Sequence, residues 1–399
     1  MLMKRSWSKL RRRDALKLAA LASVGTGALA FTRTRSTTAN ERPLFPGPSF
    51  FVKGVYQQPV EKMAEWRDRG VNTIFTVNGG ANFTTWTNEA MKQGLYVVRA
   101  PAGVDDQYRV IDRAAFEQDL RNPLLLAIAL VDEPSNLKPG GAGITYYDVT
   151  VPPAAVDVVA RELSSGGKPL WINHVGNHIN NVYLEKIMSD YADSPYVDWL
   201  AQDSYPVANG EDLTLDLDDY ASTPQGHSID RLLRWSGGRP QFSFLGVTKF
   251  NAGVGRDTTP EEFRLQAWSS IIHGATGIIY FSFMFSPQFS YDATPENLID
   301  EIKMLHAQID EIEPILMDKD KGGRRPWVLR KSARGKGNGP TSLPYPFEAC
   351  SIKTDRGEYK IILNLANETA ELTYEPWGLT KVSFSPYQCK RGYSAKEIT

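Results

Sequence analysis

Short apolar runs alternate with helical patterns along most of the chain. Eight runs rich in Val, Ile, Leu and aromatic residues have the length and composition of strands; they lie at residues 50–56, 71–77, 96–102, 124–133, 170–176, 198–206, 241–247 and 277–283. Segments with apolar residues at helical spacing separate these runs and follow the last one. Such uniformly apolar strands are typical of a parallel sheet that is buried on both faces.

Eight strand and helix units predict a (β/α)8 barrel, because a doubly wound sheet rarely needs eight. We assign this barrel to residues 46–320. After the charged, turn-rich segment DKDKGGRRPW, the pattern changes to short alternating runs without helical spacing. These runs predict a small C-terminal antiparallel β-sandwich domain over residues 326–399. The predicted fold class is therefore α/β, a TIM barrel with an added β-sandwich.

The first thirty residues have the pattern of an export signal rather than of a folded element. A basic region is followed by a short apolar region and by small residues that end at Ala28 and Ala30. Arg12 and Arg13 resemble the pair in bacterial twin-arginine signals. We therefore expect residues 1–30 to be removed and the mature protein to be periplasmic or secreted. A basic amphipathic anchor is the alternative, although the apolar region is short for a membrane span.

Composition limits the partners of the mature chain. With 42% hydrophobic and 11% aromatic residues, the chain can bury a large core. Removing residues 1–30 takes away seven positive charges and one negative charge, which leaves a formal net charge of −7. No basic stripe suits nucleic acid, and we expect no nucleic-acid partner and no stable membrane insertion after processing. The sequence does not predict an oligomeric state.

The two cysteines, Cys350 and Cys389, either form a disulfide in an oxidising compartment or are two small buried hydrophobic residues. No spacing typical of a metal site occurs in the sequence, so we expect no metal and no other cofactor.

Polar and aromatic residues follow the predicted strands where they end. In a parallel barrel these ends meet at one face, where such enzymes carry their active site. Amides, carboxylates and aromatic faces suit a sugar, and glycoside hydrolysis needs two carboxyl groups. We expect the catalytic residues to be Glu133, Asp203 and Asp132, and the substrate-binding residues to be Tyr56, Asn78, Asn173, His174, Gln202, Tyr205, Lys249 and Tyr280.

The run LLLAIALVDEPSN ends on two adjacent carboxylates, Asp132 and Glu133. Burial at the barrel rim and the neighbouring like charge both favour a protonated Glu133, which suits a general acid. In the alternative interpretation, the pair accepts amide hydrogens of the turn that follows at Pro134, Ser135 and Asn136, where Ser135 and Asn136 supply the N–H groups. Asp203, in AQDSYP, has a similar alternative role as a cap ahead of Pro206.

The DEP sequence at the end of the fourth strand resembles the N-E-P or D-E signature of (β/α)8 glycoside hydrolases, and this resemblance implies that Glu133 is the proton donor. The segments RDTTPEEFRLQAWSSIIHGATGIIYFSF and FSPYQCKRGY are similar to bacterial β-galactosidase-like barrels and related uncharacterised groups. The resemblance extends over most of residues 50–395 as architecture and a few short motifs. It implies a carbohydrate substrate.

The seventh strand departs from that family pattern. Retaining barrels of this kind carry a glutamate nucleophile there, and QFSFLGVTKF contains no carboxylate. Asp203 is the nearest replacement, and some other barrel glycosidases resemble this chain in using carboxylates on strands four and six. A third arrangement resembles hexosaminidases, with Asp132 orienting an acetamido group beside Glu133 as the acid.

The sequence thus predicts an exported glycoside hydrolase that cleaves an oligo- or polysaccharide by carboxylate acid/base chemistry. The alternative is a non-catalytic carbohydrate-binding protein on a lapsed glycosidase barrel, since the seventh strand lacks the usual nucleophile.

Overall fold

The computed structural model describes residues 43–77, 81–136, 149–216, 220–317, 327–333 and 342–398. Eight parallel strands form a closed barrel in the order β1-β10-β9-β6-β5-β4-β3-β2. The strands are β1 Val52–Tyr56, β2 Thr73–Phe75, β3 Tyr96–Arg99, β4 Leu125–Ala129, β5 Leu170–His174, β6 Trp199–Gln202, β7 Leu215–Asp216, β8 Tyr220–Ser222, β9 Gln241–Gly246, β10 Ala275–Phe281, β11 Trp327–Ala333, β12 Ser342–Pro344, β13 Phe347–Thr354, β14 Gly357–Asn364, β15 Ala370–Tyr374, β16 Leu379–Phe384 and β17 Cys389–Gly392.

Helices connect the barrel strands and surround them. They are α1 Met63–Asp68, α2 Phe83–Lys92, α3 Arg113–Leu120, α4 Pro153–Leu163, α5 Gly176–Ile179, α6 Glu185–Ala192, α7 Pro206–Asn209, α8 Pro224–Ser236, α9 Pro260–Ile272, α10 Glu296–Leu316 and α11 Ala395–Ile398. Thr259 begins α9 with a capping box, because its hydroxyl accepts from the Glu262 amide while the Glu262 carboxylate accepts from the Thr259 amide. The pattern of Thr and Pro in the sequence predicts this helix start.

Large aromatic side chains fill the barrel interior. Phe75, Trp171, Trp199, Phe242 and Phe244 belong to one buried cluster. Gly54 and Gly277 make room for these rings. A Cβ at Gly54 would lie 2.6 Å from the ring of Phe75, and a Cβ at Gly277 would lie 2.8 Å from the ring of Phe242. The interior is therefore a packed core, and only the strand ends are open to a ligand.

The β7–β8 hairpin leaves the barrel after α7 and joins the C-terminal sheet. Strand β8 pairs antiparallel with β11, with Ala221 opposite Ser332. The sheet has the order β17-β14-β13-β11-β8-β7, and β15 and β16 form a second, two-stranded sheet. This hairpin is missing from the sequence prediction because β7 and β8 have only two and three residues.

The C-terminal sheet is buried on both faces. Along β13, Cys350 and Ile352 face the core that includes Trp268 of α9, whereas Phe347 and Ala349 face β15 and β16. This alternation is the period-2 pattern of a strand between two apolar layers. It confirms the predicted sandwich and shows that its second partner is the barrel itself.

A buried polar cluster lies where the barrel, the hairpin and the C-terminal sheet meet. His273 Nε2 is 3.1 Å from Glu348 Oε2, and Ser222 Oγ is 3.0 Å from the same carboxylate oxygen. His273 Nδ1 faces Asp230 Oδ1 at 3.5 Å. Burial alone would lower the pKa of His273, but Glu348 and Asp230 outweigh it and raise the pKa to about 9. The raised pKa favours a protonated His273 at neutral pH, beside the carboxyl groups of Glu348 and Asp230.

The structure confirms the barrel and the added β domain. The proposed export signal at residues 1–30 and the boundary between residues 320 and 326 lie outside the described residues. Cys350 and Cys389 are not joined in a disulfide. None of the helices in the described ranges is long and apolar enough to span a bilayer.

Candidate active site

Asn173 is the central residue at the open end of the barrel. Its Nδ2 donates to Asp132 Oδ1 at 3.0 Å and to Asp203 Oδ2 at 3.1 Å. The two carboxylate oxygens are therefore at most about 6 Å apart, within the span of one glycosidic bond and its catalytic groups. Strand β5 thus brings together carboxylates that follow its neighbours β4 and β6.

Backbone hydrogen bonds fix the two carboxylate-bearing segments on either side of β5. The Glu133 amide donates to the Asn173 carbonyl at 3.2 Å, and the Asp203 amide donates to the His174 carbonyl at 3.1 Å. Asp203 thus continues the ladder directly after β6, and Glu133 bonds to β5 four residues after β4 ends. This registration aligns Glu133 and Asp203 across the mouth of the barrel.

The carboxyl groups of Glu133 and Asp203 hydrogen-bond to each other. Such a contact requires one hydrogen between the two groups, which the raised pKa of Asp203 favours. Burial raises the pKa of Asp203 well above its usual value, and the hydrogen bond to Glu133 and the charges of Glu133 and Asp132 raise it further. Asn173 opposes this shift by donating to the carboxylate, and the Gly176 amide also donates to Asp203 Oδ1, at 3.1 Å.

Glu133 has a left-handed backbone with φ of 45°. This conformation costs a residue other than glycine about 1 kcal/mol or more, and it is common at functional sites. A turn holds it in place, since the Asn136 amide donates to the Glu133 carbonyl at 3.0 Å and Asn136 Nδ2 donates to Glu133 Oε2. The turn that could give Glu133 a purely structural role thus exists. It also holds Glu133 where its carboxyl group contacts that of Asp203.

Asp132 accepts hydrogen bonds at both oxygens, from Tyr56 Oη at 2.7 Å and from Asn173. Packing against the rim and the charge of Glu133 raise its pKa, while the hydrogen bonds from Tyr56 and Asn173 oppose that shift. The side chain keeps contact with solvent at the mouth, so we expect a smaller effect than for the buried Asp203.

Tyrosines surround the three carboxylates. Burial, followed by the charges of Asp203, Glu133 and Asp132, raises the pKa of Tyr205. The pKa of Tyr56 is also raised, first by burial and then by Asp132. Tyr108, which the sequence reasoning missed, has its pKa raised to about 12 by burial and by Asp132. It lies in an irregular loop after β3, where the sequence has no hydrophobic periodicity from which its position could be predicted.

Several expected site residues are not brought to the carboxylates. His174 packs against Tyr191 of α6, and Tyr280 donates to or accepts from His306 Nε2 of α10 at 2.7 Å. Gln202 Nε2 donates to Ser243 Oγ at 2.7 Å. These three side chains point outward from the barrel into the helix layer, because they alternate with the interior positions along their strands. His174, Gln202 and Tyr280 are therefore not placed to bind a substrate beside the carboxylates, contrary to the sequence-based expectation.

The other two expected substrate-binding residues are Lys249 and Asn78. Lys249 follows β9, and its backbone amide donates to Asp257 Oδ1 at 2.9 Å, which ties it to the loop before α9. Asn78 lies outside the described residues. Tyr56, Asn173 and Tyr205 are the substrate-binding candidates that do lie beside the carboxylates.

A separate cavity of about 690 Å3 lies between α7 and the C-terminal domain. It is lined by Glu211, Tyr387 and the ion-paired Arg256 and Glu262, and by none of the three carboxylates at the mouth. Among the described residues, no group of three or more His, Cys, Asp or Glu side chains is arranged to hold a metal ion. The carboxylate group at the mouth therefore remains the candidate active site.

Comparison with known proteins places the fold in context. No family model and no curated protein matches the chain significantly. Among solved structures, MutB, as an inactive double mutant in complex with isomaltulose, is 10% identical with a TM-score of 0.50, and the match covers 87% of this chain and 99% of MutB. A putative α-L-fucosidase from Bacteroides thetaiotaomicron is 9% identical (TM-score 0.41, 68% of this chain and 99% of that one).

The structural neighbours are mostly glycoside hydrolases with (β/α)8 barrels, and no particular family is identified. A truncated 3-deoxy-D-arabino-heptulosonate 7-phosphate synthase from Thermotoga maritima also matches, at 13% identity, with a TM-score of 0.37 and coverage of 67% of this chain and 90% of that one. At 10% identity, the likeness to MutB shows the barrel fold alone. The chemistry has to be argued from the site.

Proposed function

We propose that the chain is a glycoside hydrolase in which Glu133 and Asp203 act together on one glycosidic bond. The observation that carries the proposal is the hydrogen bond between these two carboxyl groups at the open end of a closed barrel. Two carboxyl groups, one of them protonated, are what glycoside hydrolysis requires. The amide of Asn173 and the phenols of Tyr56 and Tyr205 supply groups that suit sugar hydroxyls.

In the proposed mechanism, Glu133 is the proton donor and Asp203 the nucleophile. In the empty site, burial draws the shared proton towards Asp203. A sugar that enters between the two groups separates them. Asp203 then keeps the N–H donors of Asn173 and Gly176, which stabilise a carboxylate, so the proton goes with Glu133. Glu133 protonates the leaving oxygen while an Asp203 oxygen bonds to the anomeric carbon.

The second half of the reaction restores both groups. Glu133, now a carboxylate, takes a proton from water, and the resulting hydroxyl displaces Asp203 from the anomeric carbon. Asp132, held by Tyr56 and Asn173, places a further negative charge beside the positive charge that develops on the sugar ring.

The short contact between Glu133 and Asp203 favours retention of configuration. Inverting enzymes need their carboxyl groups about 6.5–9.5 Å apart to hold a water, whereas retaining enzymes need only about 5 Å. Carboxyl groups that start in direct contact move less to reach a separation of about 5 Å than to reach about 6.5 Å or more. Proton NMR of the first product formed should therefore show the same anomer as the substrate.

The test is hydrolysis of a panel of glycosides, N-acetylated sugars included, by the wild type, Glu133→Gln, Asp203→Asn and Glu117→Gln. Glu117 is an exposed carboxylate that pairs only weakly with Arg113, and it serves as the matched control. We expect both site variants to lose at least about a thousandfold in kcat/KM and the control to lose nothing. If the wild type binds a sugar but hydrolyses no member of the panel, the protein is a non-catalytic carbohydrate-binding barrel, an alternative supported by the absence of a carboxylate from β9.

A further inference from the structure

A continuous wall of aromatic rings runs from the carboxylates to solvent on one side of the mouth. Tyr56, which holds Asp132, lies 5.9 Å from Phe281 and 6.1 Å from Phe283 between ring centroids. Phe283 in turn lies 6.2 Å from Phe285 and 6.0 Å from Phe289. The strand β10 and the loop after it supply all four phenylalanines, which we call the phenylalanine wall.

The outer end of the phenylalanine wall is open to solvent. Phe285 and Phe289 are 48% and 50% exposed, although large apolar side chains on a rim cost free energy when they face water. Loop hydrogen bonds hold them there, since the Phe285 amide donates to the Phe250 carbonyl at 2.7 Å, and Met284 and Ser290 bridge the loop. The loop backbone that carries the two rings is therefore held by hydrogen bonds within the protein.

The rings of the phenylalanine wall offer no hydrogen bonds to a ligand. A phenylalanine side chain has neither donor nor acceptor, and the serines between the rings bond within the protein. Ser286 Oγ accepts from the Ala252 amide at 3.1 Å, and Ser290 Oγ donates to the Asp292 carbonyl at 2.8 Å. A second sugar unit would gain no hydrogen bond from these rings, whereas an apolar group would bury them without needing one.

We propose that the phenylalanine wall binds the leaving group and that this leaving group is apolar, an aryl or arylalkyl alcohol joined to a single sugar. The inference rests on the proposed function, because it divides the mouth into two halves. The half with Asp132, Glu133, Asp203 and Asn173 takes the sugar, and the opposite half takes the aglycone. This substrate class differs from the oligo- or polysaccharide that the sequence favours.

The test compares benzyl and methyl glycosides of the same sugar, because their leaving alcohols are of similar acidity and differ mainly in the phenyl ring. Burying the phenyl ring against the phenylalanine wall should raise kcat/KM for the benzyl glycoside about tenfold to hundredfold above that for the methyl glycoside. The double variant Phe285→Ala/Phe289→Ala should lose most of this preference and leave methyl glycoside hydrolysis unchanged. Met304→Ala, an equally exposed apolar residue on α10, is the control. Equal rates on the two glycosides, or equal losses on both, would overturn the proposal.

Binding of benzyl alcohol alone separates this inference from the proposed function. Saturation-transfer NMR should show benzyl alcohol on the wild type and on Met304→Ala, and a weaker signal on the double variant. That result supports the phenylalanine wall even if no glycoside is hydrolysed, in which case only the proposed hydrolase function fails. An equal signal for all three proteins contradicts the wall as an apolar binding surface.

Discussion

Glu133 and Asp203 hydrogen-bond to each other although they follow different strands, β4 and β6, with β5 between them. The contact exists because both segments continue to hydrogen-bond to the backbone of β5 beyond the ends of their own strands. Two carboxyl groups that share a proton in a buried place repel each other once both are charged. This arrangement lowers stability at neutral pH, and such a cost is typical of a functional site.

Asp203→Asn should therefore stabilise the protein at neutral and alkaline pH. Burial and neighbouring charges raise the pKa of Asp203, so its contribution to stability is complete below its usual pKa near 3.8 and is lost as the pH rises through the folded-state value. We expect a gain of about 1 kcal/mol or more at pH 8 that disappears at pH 4. The Oδ1 of Asn173, which has no partner within the described residues, can accept from the new amide.

Thermal unfolding of the wild type and of Asp203→Asn between pH 4 and pH 8 measures this difference. Glu117→Gln provides the comparison for loss of a surface carboxylate. A stability difference that stays constant across this range would show that Asp203 is already ionised and unstrained in the folded protein.

Asn173→Ala should move the pH dependence of hydrolysis. The amide lowers the pKa of Asp203 by donating to its carboxylate, so its loss raises that pKa further. The alkaline limb of the pH profile of kcat/KM should shift to higher pH, because the free enzyme acts with one proton on the pair and the raised pKa of Asp203 favours that proton there. Asn177→Ala, which removes an exposed hydrogen bond to Glu211, should leave the limb in place. A uniform loss of rate without a shift would assign Asn173 a packing role only.

His273 should stabilise the contact between the barrel and the C-terminal sheet in a pH-dependent way. Its pKa is raised to about 9, so its contribution is complete below its usual value of 6.5 and is lost as the pH rises through about 9. His273→Gln should cost about 3 kcal/mol at pH 6 by leaving Glu348 buried without its cation. The double variant with Glu348→Gln should recover part of that loss.

Chemical denaturation at pH 6 and at pH 10 gives the required free energies of unfolding. The difference between the wild type and His273→Gln should shrink at pH 10. If it is the same at both values, His273 is neutral in the folded protein and the cluster is an uncharged hydrogen-bond network.

The sequence predicts the barrel well because each strand is a strong, continuous apolar run with a helix after it. The site is predicted less well for a reason of geometry. A one-residue change in phase decides whether a side chain at a strand end faces the mouth or the helices. Asn173 and His174 are neighbours, and only Asn173 reaches the carboxylates. For the same reason, the side chain of Gln202 points towards the helices, whereas that of Asp203 faces the mouth.

Other features carry no local signal in the sequence. The hairpin of β7 and β8 is too short for a hydrophobic period, and its strands are stabilised by pairing with a distant part of the chain. Tyr108 reaches Asp132 from an irregular loop. The segment FSFMFSPQFSY is rich in phenylalanine, and this enrichment is apparent in the sequence. Only the structure shows that the rings of the phenylalanine wall continue to Tyr56.

Covalent trapping tests the central claim, that Glu133 and Asp203 act as a pair on one anomeric carbon. An activated 2-deoxy-2-fluoro glycoside of an accepted sugar slows the second half of a retaining reaction more than the first, so the sugar stays on the nucleophile. Peptide mass spectrometry should find it on Asp203 in the wild type and on no residue in Asp203→Asn. Hydrolysis by Asp203→Asn at the wild-type rate, with no label on Asp203 in the wild type, would contradict the account.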